Sequence, residues 1–594
     1  MCVGIVGGGI AGLYTALLLK REGIDFHILE GSGRVGGRIF THFFSTNQDQ
    51  YFEAGAMRIP GPDSSFHKIT YNLIDYLNSY QLDGKHIDLI NYVLFSPGND
   101  LYINGVSPGE VSAQTVTPKS VNWNVPDKFR NETANDLMMN ALGPLLSELV
   151  DAIKNNTFEA TFREIADKWD RYSFRAYLMS VADYPASVVD FMETVISQTN
   201  NFALSVVEVL MQSYDFSTTD WKTIDQGMNR LPEAMEALIG RDKITYGARV
   251  QALRVIKPEL APFVPPRTGR TSGLGTMDWP PMVNAERIEV TATGYNGRLT
   301  ALFDKVVMAV PPAALKMLAA RPRWSPQKEM AIRSMFIVPL YKMGMRFKRR
   351  FWESTKRRSF GGQSTTDLPI RWIVFPSYGI KPDTSDASDT SSDTSSDTSD
   401  PSDPSGVLVI YAWMTDATSW TPLTTIERRS LAIQNLEKVY KGRLNCGETI
   451  ASLLIETTDA VWSDANSTGD SFGLPGQFLD RFDDGRKAEG NIYFAGEHLS
   501  YHHTWISGAA ESALYVVRDM LDNQDIQPLK ENFDFDNLPE TMPMRLPFKF
   551  EHANPLLVDA YPVESSNEPL AVPAHLGGGE SNRVGPILGC LRSA

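Results

Sequence analysis

An α/β protein is predicted, with a βαβ unit at its N-terminus, a second region of mixed strands and an inserted helical region. Three features carry this. Residues 1–6 form a short apolar run that gives way to Gly7-Gly8-Gly9-Ile10-Ala11-Gly12, after which Ile10, Leu13, Tyr14, Leu17 and Leu18 recur at helical spacing. Residues 131–215 keep a helical period with few strand signals. Strand-like runs then return at 244–255, 287–310, 338–347 and 407–414.

The elements follow in order. Residues 1–6 read as a strand. The first helix ends in the basic pair Lys20-Arg21 and stops at Gly23. A second strand, 26–29, ends at Glu30, and a glycine-rich turn spans residues 31–38. In the helical region Leu137, Met138, Leu142, Leu145 and Leu149 form one apolar face, and Val188, Phe191, Met192 and Ile196 another. The run 287–310 reads as strands around a turn at Tyr295-Asn296-Gly297, ended by Pro311-Pro312. Residues 381–405 are low-complexity Asp/Ser/Thr/Pro, expected to be a disordered surface loop. Near the end, the apolar run 492–495 stops at Gly496-Glu497. A polar loop with His502 and His503 follows, and Trp505 opens a helix over 506–520. A helix start offers free N–H groups and a positive dipole end, so whatever binds there carries or develops negative charge. After residue 527 prolines become frequent and periodicity fades, and the tail reads as mobile or as an arm across a partner subunit.

Composition sets the bounds. At 594 residues, two or three domains are expected. The net charge is −15; residues 381–405 hold seven Asp and one Lys, which leaves −9 over the rest and disfavours nucleic acid as a partner. No run of 18 apolar residues predicts a membrane span. The first apolar run lacks preceding basic residues and does not read as a signal peptide, so the compartment stays open: cytoplasmic, or secreted after loss of a pre-sequence. Cys2, Cys446 and Cys590 are scattered and suggest neither a disulfide framework nor a metal cluster.

Gly7, Gly9 and Gly12 make G-x-G-x-x-G between a strand and a helix, and Glu30 closes the next strand eighteen residues past Gly12. Gly7 permits the tight turn, Gly9 lets backbone approach a pyrophosphate, and Gly12 lets helix and sheet sit close. Glu30 can accept both ribose hydroxyl protons and repels a 2′-phosphate, so a dinucleotide other than NADP is expected.

Arg34-Val35-Gly36-Gly37-Arg38 resembles the R-x-G-G-R turn of the flavin amine oxidases. Gly55-Ala56-Met57-Arg58-Ile59-Pro60 resembles a segment of that family's L-amino acid oxidase branch, as does Gly361-Gly362-Gln363-Ser364-Thr365-Thr366-Asp367-Leu368-Pro369. Gly496-Glu497 and Thr504-Trp505-Ile506 resemble the family's carboxy-terminal cofactor segment, with Thr504 where glycine is usual. The resemblance covers most of residues 1–520 and implies a Rossmann-like FAD-binding domain of the glutathione-reductase type. It also implies oxidative deamination of L-amino acids to 2-oxo acids, with ammonia and hydrogen peroxide as co-products, by hydride transfer to flavin N5. Flavin mono- or polyamine oxidation and amino acid 2-monooxygenation are the alternatives.

Residue by residue, the resemblance implies that Arg38 approaches the pyrophosphate, Val250 pairs with adenine through its backbone, and Glu497 accepts a ribityl hydroxyl. Gly7, Gly9, Ile10, Ala11, Gly12, Glu30, Gly31, Arg34, Gly37, Gly55, Ala56, Met57, Gly496 and Ile506 are the further cofactor contacts. Trp462 is placed near the isoalloxazine, where core packing is nearly as good a reading. Arg58 would clamp the substrate carboxylate, Lys342 would hold a water against N5, and Trp505 would wall the amino-acid site. From alternation alone Lys342 shares a face with Arg346 and reads as solvated, opposite Tyr341, Met343, Met345 and Phe347. Phe375 stands where the family's carboxylate-binding tyrosine is expected, and Tyr378 or another group would replace it. His503 reads as a hydrogen-bonded loop histidine.

The expected layout is an FAD domain from 1–62, 225–325 and 455–520, and a substrate domain from 63–125 and 326–454. A helical domain at 126–224 and a tail at 528–594 complete it. The expected partners are an L-amino acid and dioxygen, with no nucleic acid or membrane, in a homodimer or higher homo-oligomer.

Overall fold

The chain leaves the strand Cys2–Val6 through Gly7, whose φ of +106° suits only glycine, and enters the helix Ile10–Arg21. Gly12 lies where that helix touches the turn: a Cβ there would stand 2.0 Å from the Gly7 carbonyl oxygen. The strand Asp25–Leu29 follows. In this computed structural model the described residues are 1–46, 49–62, 65–107, 109, 111–257, 286–294, 297–355, 358–380, 404–463, 468–530 and 549–551. Nearly all of the acidic segment 381–405, residues 295–296 of the turn expected from the sequence, and most of the tail lie outside them.

Cys2–Val6 is the middle of a five-stranded sheet, ordered Ile492–Phe494, Lys305–Met308, Cys2–Val6, Asp25–Leu29, Ile244–Thr245. Every neighbouring pair is parallel. The register sets Val6 beside Leu29 and Met308, and Met308 beside Phe494. The carboxyl ends therefore form one rim, and the segments leaving it after residues 6, 29, 308 and 494 all open on the crevice where such sheets bind ligands. The run 244–255 divides in two, because Gly247 at φ +66° turns the chain. Ile244–Thr245 edges the parallel sheet, while Arg249–Ile256 joins an antiparallel sheet with Arg287–Gly294 and Gly297–Phe303.

A six-stranded mixed sheet carries the second half of the crevice. Its order is Leu454–Trp462, Leu340–Phe347, Gly406–Trp413, Trp372–Val374, Gln363–Thr366, Leu101–Tyr102. Leu340–Phe347 is interior and both of its faces are covered. Tyr341, Met343, Met345 and Phe347 enter one core. Lys342 lies on the other face and is only 4% exposed, so the solvated reading from alternation fails: alternation assumes a wet face that an interior strand lacks.

Helices Ala134–Lys154, Phe158–Trp169, Phe174–Ser180, Ala186–Ile196 and Val206–Asp215 pack through Leu137, Leu142, Leu149, Val188, Phe191 and Met192, all buried. Thr133, Ser173 and Ser205 cap three of these helices with their hydroxyls. Among the described residues no helix is long and apolar enough to cross a membrane. Substituting Gly12→Ala is expected to push the first helix off the turn and cost about 1–3 kcal/mol, as overpacking does. An unchanged urea-unfolding midpoint would contradict this close contact.

Candidate active site

A cavity of about 1040 Å³ runs from the rim of the parallel sheet to the mixed sheet. That volume is at the upper end for small-molecule sites and exceeds what a free amino acid needs. Of the residues singled out in the sequence as catalytic or cofactor contacts, all line this cavity except Gly12, which packs behind it.

At the rim end, the helices Ile10–Arg21 and Ile506–Leu521 begin at Gly9 and Trp505, and neither start has a side-chain cap. Their first-turn N–H groups are left for an anionic or hydrogen-bonding ligand. A Cβ on Gly9 would meet only the Gly37 Cα, at 4.0 Å, and would otherwise fill the cradle. Glu30 is fixed by the amides of Gly8 at 2.6 Å and Ser32 at 2.8 Å. Arg34 donates to the carbonyls of Val35, Gly37 and Ile39, so it shapes the glycine turn from within. Val250 sits at a register shift in its ladder.

Arg38 spends part of its guanidinium on Glu497, at 2.6 Å, and on the Gly469 carbonyl at 3.0 Å. The same Glu497 oxygen accepts the Ser471 amide at 3.2 Å; the other accepts the Thr504 amide at 2.8 Å. Burial pushes Glu497 up, but Arg38, His498, His503 and the Thr504 amide together outweigh it and hold the carboxyl below its usual range. Thr504 sits at φ +73°, a conformation unfavourable for a β-branched residue. Trp462 donates its indole N–H to the Ala54 carbonyl at 2.7 Å.

At the other end, Arg58 is half-buried among rings. Its guanidinium carbon lies 5.0 Å from the Phe216 centroid, 5.6 Å from Trp221 and 5.9 Å from Tyr92. One terminal nitrogen is buried without a hydrogen-bond partner, and no carboxylate pairs with it among the described residues. Lys342 donates to the carbonyls of Gly55 at 2.5 Å and Glu53 at 3.1 Å, and burial lowers it to about 7.

Phe375 is in the core beside Trp352, away from the cavity. Tyr378 does not replace the expected tyrosine: it stacks on Tyr51 at 4.1 Å and donates to the Tyr51 carbonyl. A tyrosine that does line the cavity is Tyr411, paired with Lys342 across the sheet and 4.7 Å by ring centroid from its ammonium. Alternation in Gly406–Trp413, with Leu408, Ile410 and Ala412 in the core, was the available signal. Asp470 also lines the cavity, 4.0 Å from Arg38, and burial pushes it up to about 6. No local pattern marked it. His503 bonds Glu208 at 2.7 Å and stacks on Phe478, and neither His502 nor His503 lines the cavity.

Comparison with known proteins places the chain in a family. A model of flavin-containing amine oxidoreductases matches residues 10–521. A Dictyostelium discoideum protein named as a bifunctional amine oxidase is 30% identical over 563 residues, covering 89% of this chain. The chain spans 47% of that relative's length. An L-amino-acid oxidase of Hebeloma cylindrosporum is 27% identical over 579 residues, with 90% of this chain and 83% of the relative covered. Among solved structures, putrescine oxidase bound to putrescine superposes with a TM-score of 0.58 at 17% identity, covering 88% of this chain and all of that one, a likeness of fold. The chain belongs to the flavin-containing amine oxidoreductase family, and its cofactor is FAD.

Replacing the strained Thr504 with glycine is expected to raise the melting temperature. Relief of the left-handed strain exceeds the added chain entropy by on the order of 1 kcal/mol. A fall on calorimetry would contradict this.

Proposed function

We propose that this member of the flavin-containing amine oxidoreductase family is an L-amino acid oxidase, which takes an L-amino acid, dioxygen and water to a 2-oxo acid, ammonia and hydrogen peroxide. The observation that supports it is Arg58: a cation facing the cavity, desolvated by three rings and without a carboxylate of its own. A substrate carboxylate satisfies it by a forked pair of charge-assisted hydrogen bonds. Tyr411 offers a hydroxyl to the same carboxylate.

The redox chemistry, acceptance of a hydride equivalent from Cα and its delivery to dioxygen, is what bound FAD supplies. The glycine turn and Glu30 would hold its adenosine half and pyrophosphate, and the start of Ile506–Leu521 would face the flavin end, where the N–H groups stabilise negative charge. Arg58 and Tyr411 orient the carboxylate, so that Cα–H is presented without loss of freedom at the reacting moment. Trp505 and Trp413 exclude water from the amino-acid side. Lys342, with a low proton affinity, would hold a water beside the reacting atoms. No side chain is required as base if the substrate amine enters neutral.

An amine oxidase of the same family would share the cofactor site but has no use for Arg58. Assay of each L-amino acid beside its decarboxylated amine, with peroxide readout, decides between them: amine turnover equal to or above the amino acid's rejects the proposal. Arg58→Ala is expected to cost about 2–5 kcal/mol in kcat/KM for amino acids and to leave amines untouched. Turnover should rise with pH toward the substrate amine pKa, checked by anaerobic stopped-flow reduction; a flat profile opposes it. A 2-oxo acid product, rather than an amide, excludes 2-monooxygenation.

A further inference from the structure

Behind Trp505, outside the cavity lining, three helix ends meet at a buried carboxylate. Asp215 is the last residue of Val206–Asp215, His67 precedes Lys68–Ser79, and Trp505 and Ser507 open Ile506–Leu521. The Trp505 indole N–H donates to one Asp215 oxygen at 2.7 Å. The other oxygen lies 3.0 Å from His67 Nε2, and His67 Nδ1 lies 2.8 Å from the Ser507 hydroxyl. His67 and Asp215 are 1% and 3% exposed. Among the described residues no group of His, Cys, Asp and Glu is disposed to hold a metal ion, so the cluster reads as a hydrogen-bond network.

An aspartate at the C-terminal end of its own helix is disfavoured by the dipole, yet this one faces the positive starts of two others. Burial pushes Asp215 up, but the imidazoles of His502, 3.8 Å away, and His67 outweigh it and hold the carboxyl at about 2. It is therefore an anion with two lone-pair faces committed to two donors.

We propose that Asp215, oriented by His67, is a positioning residue: it fixes the plane of Trp505 against the amino-acid site and, through His67 and Ser507, ties that wall to the first turn of the flavin-facing helix. Rotation of the indole is prevented at its N–H rather than by packing alone. The inference rests on the reading of Trp505 as a wall of the substrate site.

The isosteric Asp215→Asn keeps the shape but removes the negative charge, so the bond from the Trp505 indole is no longer charge-assisted and His67 must change tautomer to accept the amide N–H. In the FAD-loaded enzyme, with the best L-amino acid of a twenty-member panel, Asp215→Asn is expected to raise KM about tenfold, the loss of one charge-assisted hydrogen bond, with kcat little changed. FAD stoichiometry and melting temperature should stay near wild type, while the visible flavin band shifts in shape on substrate-analogue binding. His67→Gln should act in the same direction and more weakly. In a Trp505→Phe background, which lacks the indole N–H, Asp215→Asn should add little. Additive effects on KM in that background overturn the proposal, as does a uniform loss of kcat, FAD content and melting temperature, which marks a purely structural role. A Trp505→Phe variant with unchanged KM rejects the wall reading and the inference with it. A changed KM in Trp505→Phe but not in Asp215→Asn rejects the inference alone.

Discussion

The contact between Arg38 and Glu497 ties together the two segments that build the parallel-sheet end of the site. One group comes from the glycine turn after the second strand, the other from the segment that leaves the strand Ile492–Phe494. Each is a charge withdrawn from bulk water, and removing either partner takes away the main counter-charge of the other, leaving Arg38 to Asp470 and the Gly469 carbonyl, and Glu497 to two amides. The pair also sets geometry beyond itself. Glu497 accepts the Ser471 and Thr504 amides, so the left-handed Thr504, and with it the direction in which Trp505 departs, follows from where Arg38 places the carboxylate.

Around that contact the cavity divides its labour by chemistry. The rim of the parallel sheet contributes uncapped helix starts, bare backbone and one fixed carboxylate, which suits a long polar cofactor. The mixed sheet and the helices contribute rings, the Arg58 guanidinium with one terminal nitrogen unbonded, and a lysine of lowered proton affinity. The low dielectric that makes Arg58 uncomfortable also makes its attraction for a carboxylate strong.

Much of this was legible in the sequence where chemistry is local. The strand–glycine–helix–acid order around Gly7 and Glu30 determines its own geometry, because covalent neighbours build it. Arg58 and Glu497 stand out only through similarity to a family, since an arginine beside a proline has no distinguishing period. Alternation alone sends Lys342 to solvent, because sheet position, interior or edge, is a property of partners far away in the chain, and only the family resemblance puts it in the site. Tyr411 is not singled out in the sequence, because proximity to Phe375 does not measure which side of the sheet a ring faces. Asp215 and His67, 148 residues apart, share no pattern at all: only helix packing brings them together.

The strand order has a consequence for how the enzyme is made. Cys2–Val6 leaves the ribosome well before Ile492–Phe494, which completes its sheet roughly 490 residues later. At ordinary rates of synthesis that is a delay of roughly 25–100 s. During it the nascent nucleotide cradle has neither its far strand, nor Glu497, nor the second helix start. Cofactor capture must then be a late, largely post-translational step, and truncated chains should emerge from the ribosome unable to carry flavin at all.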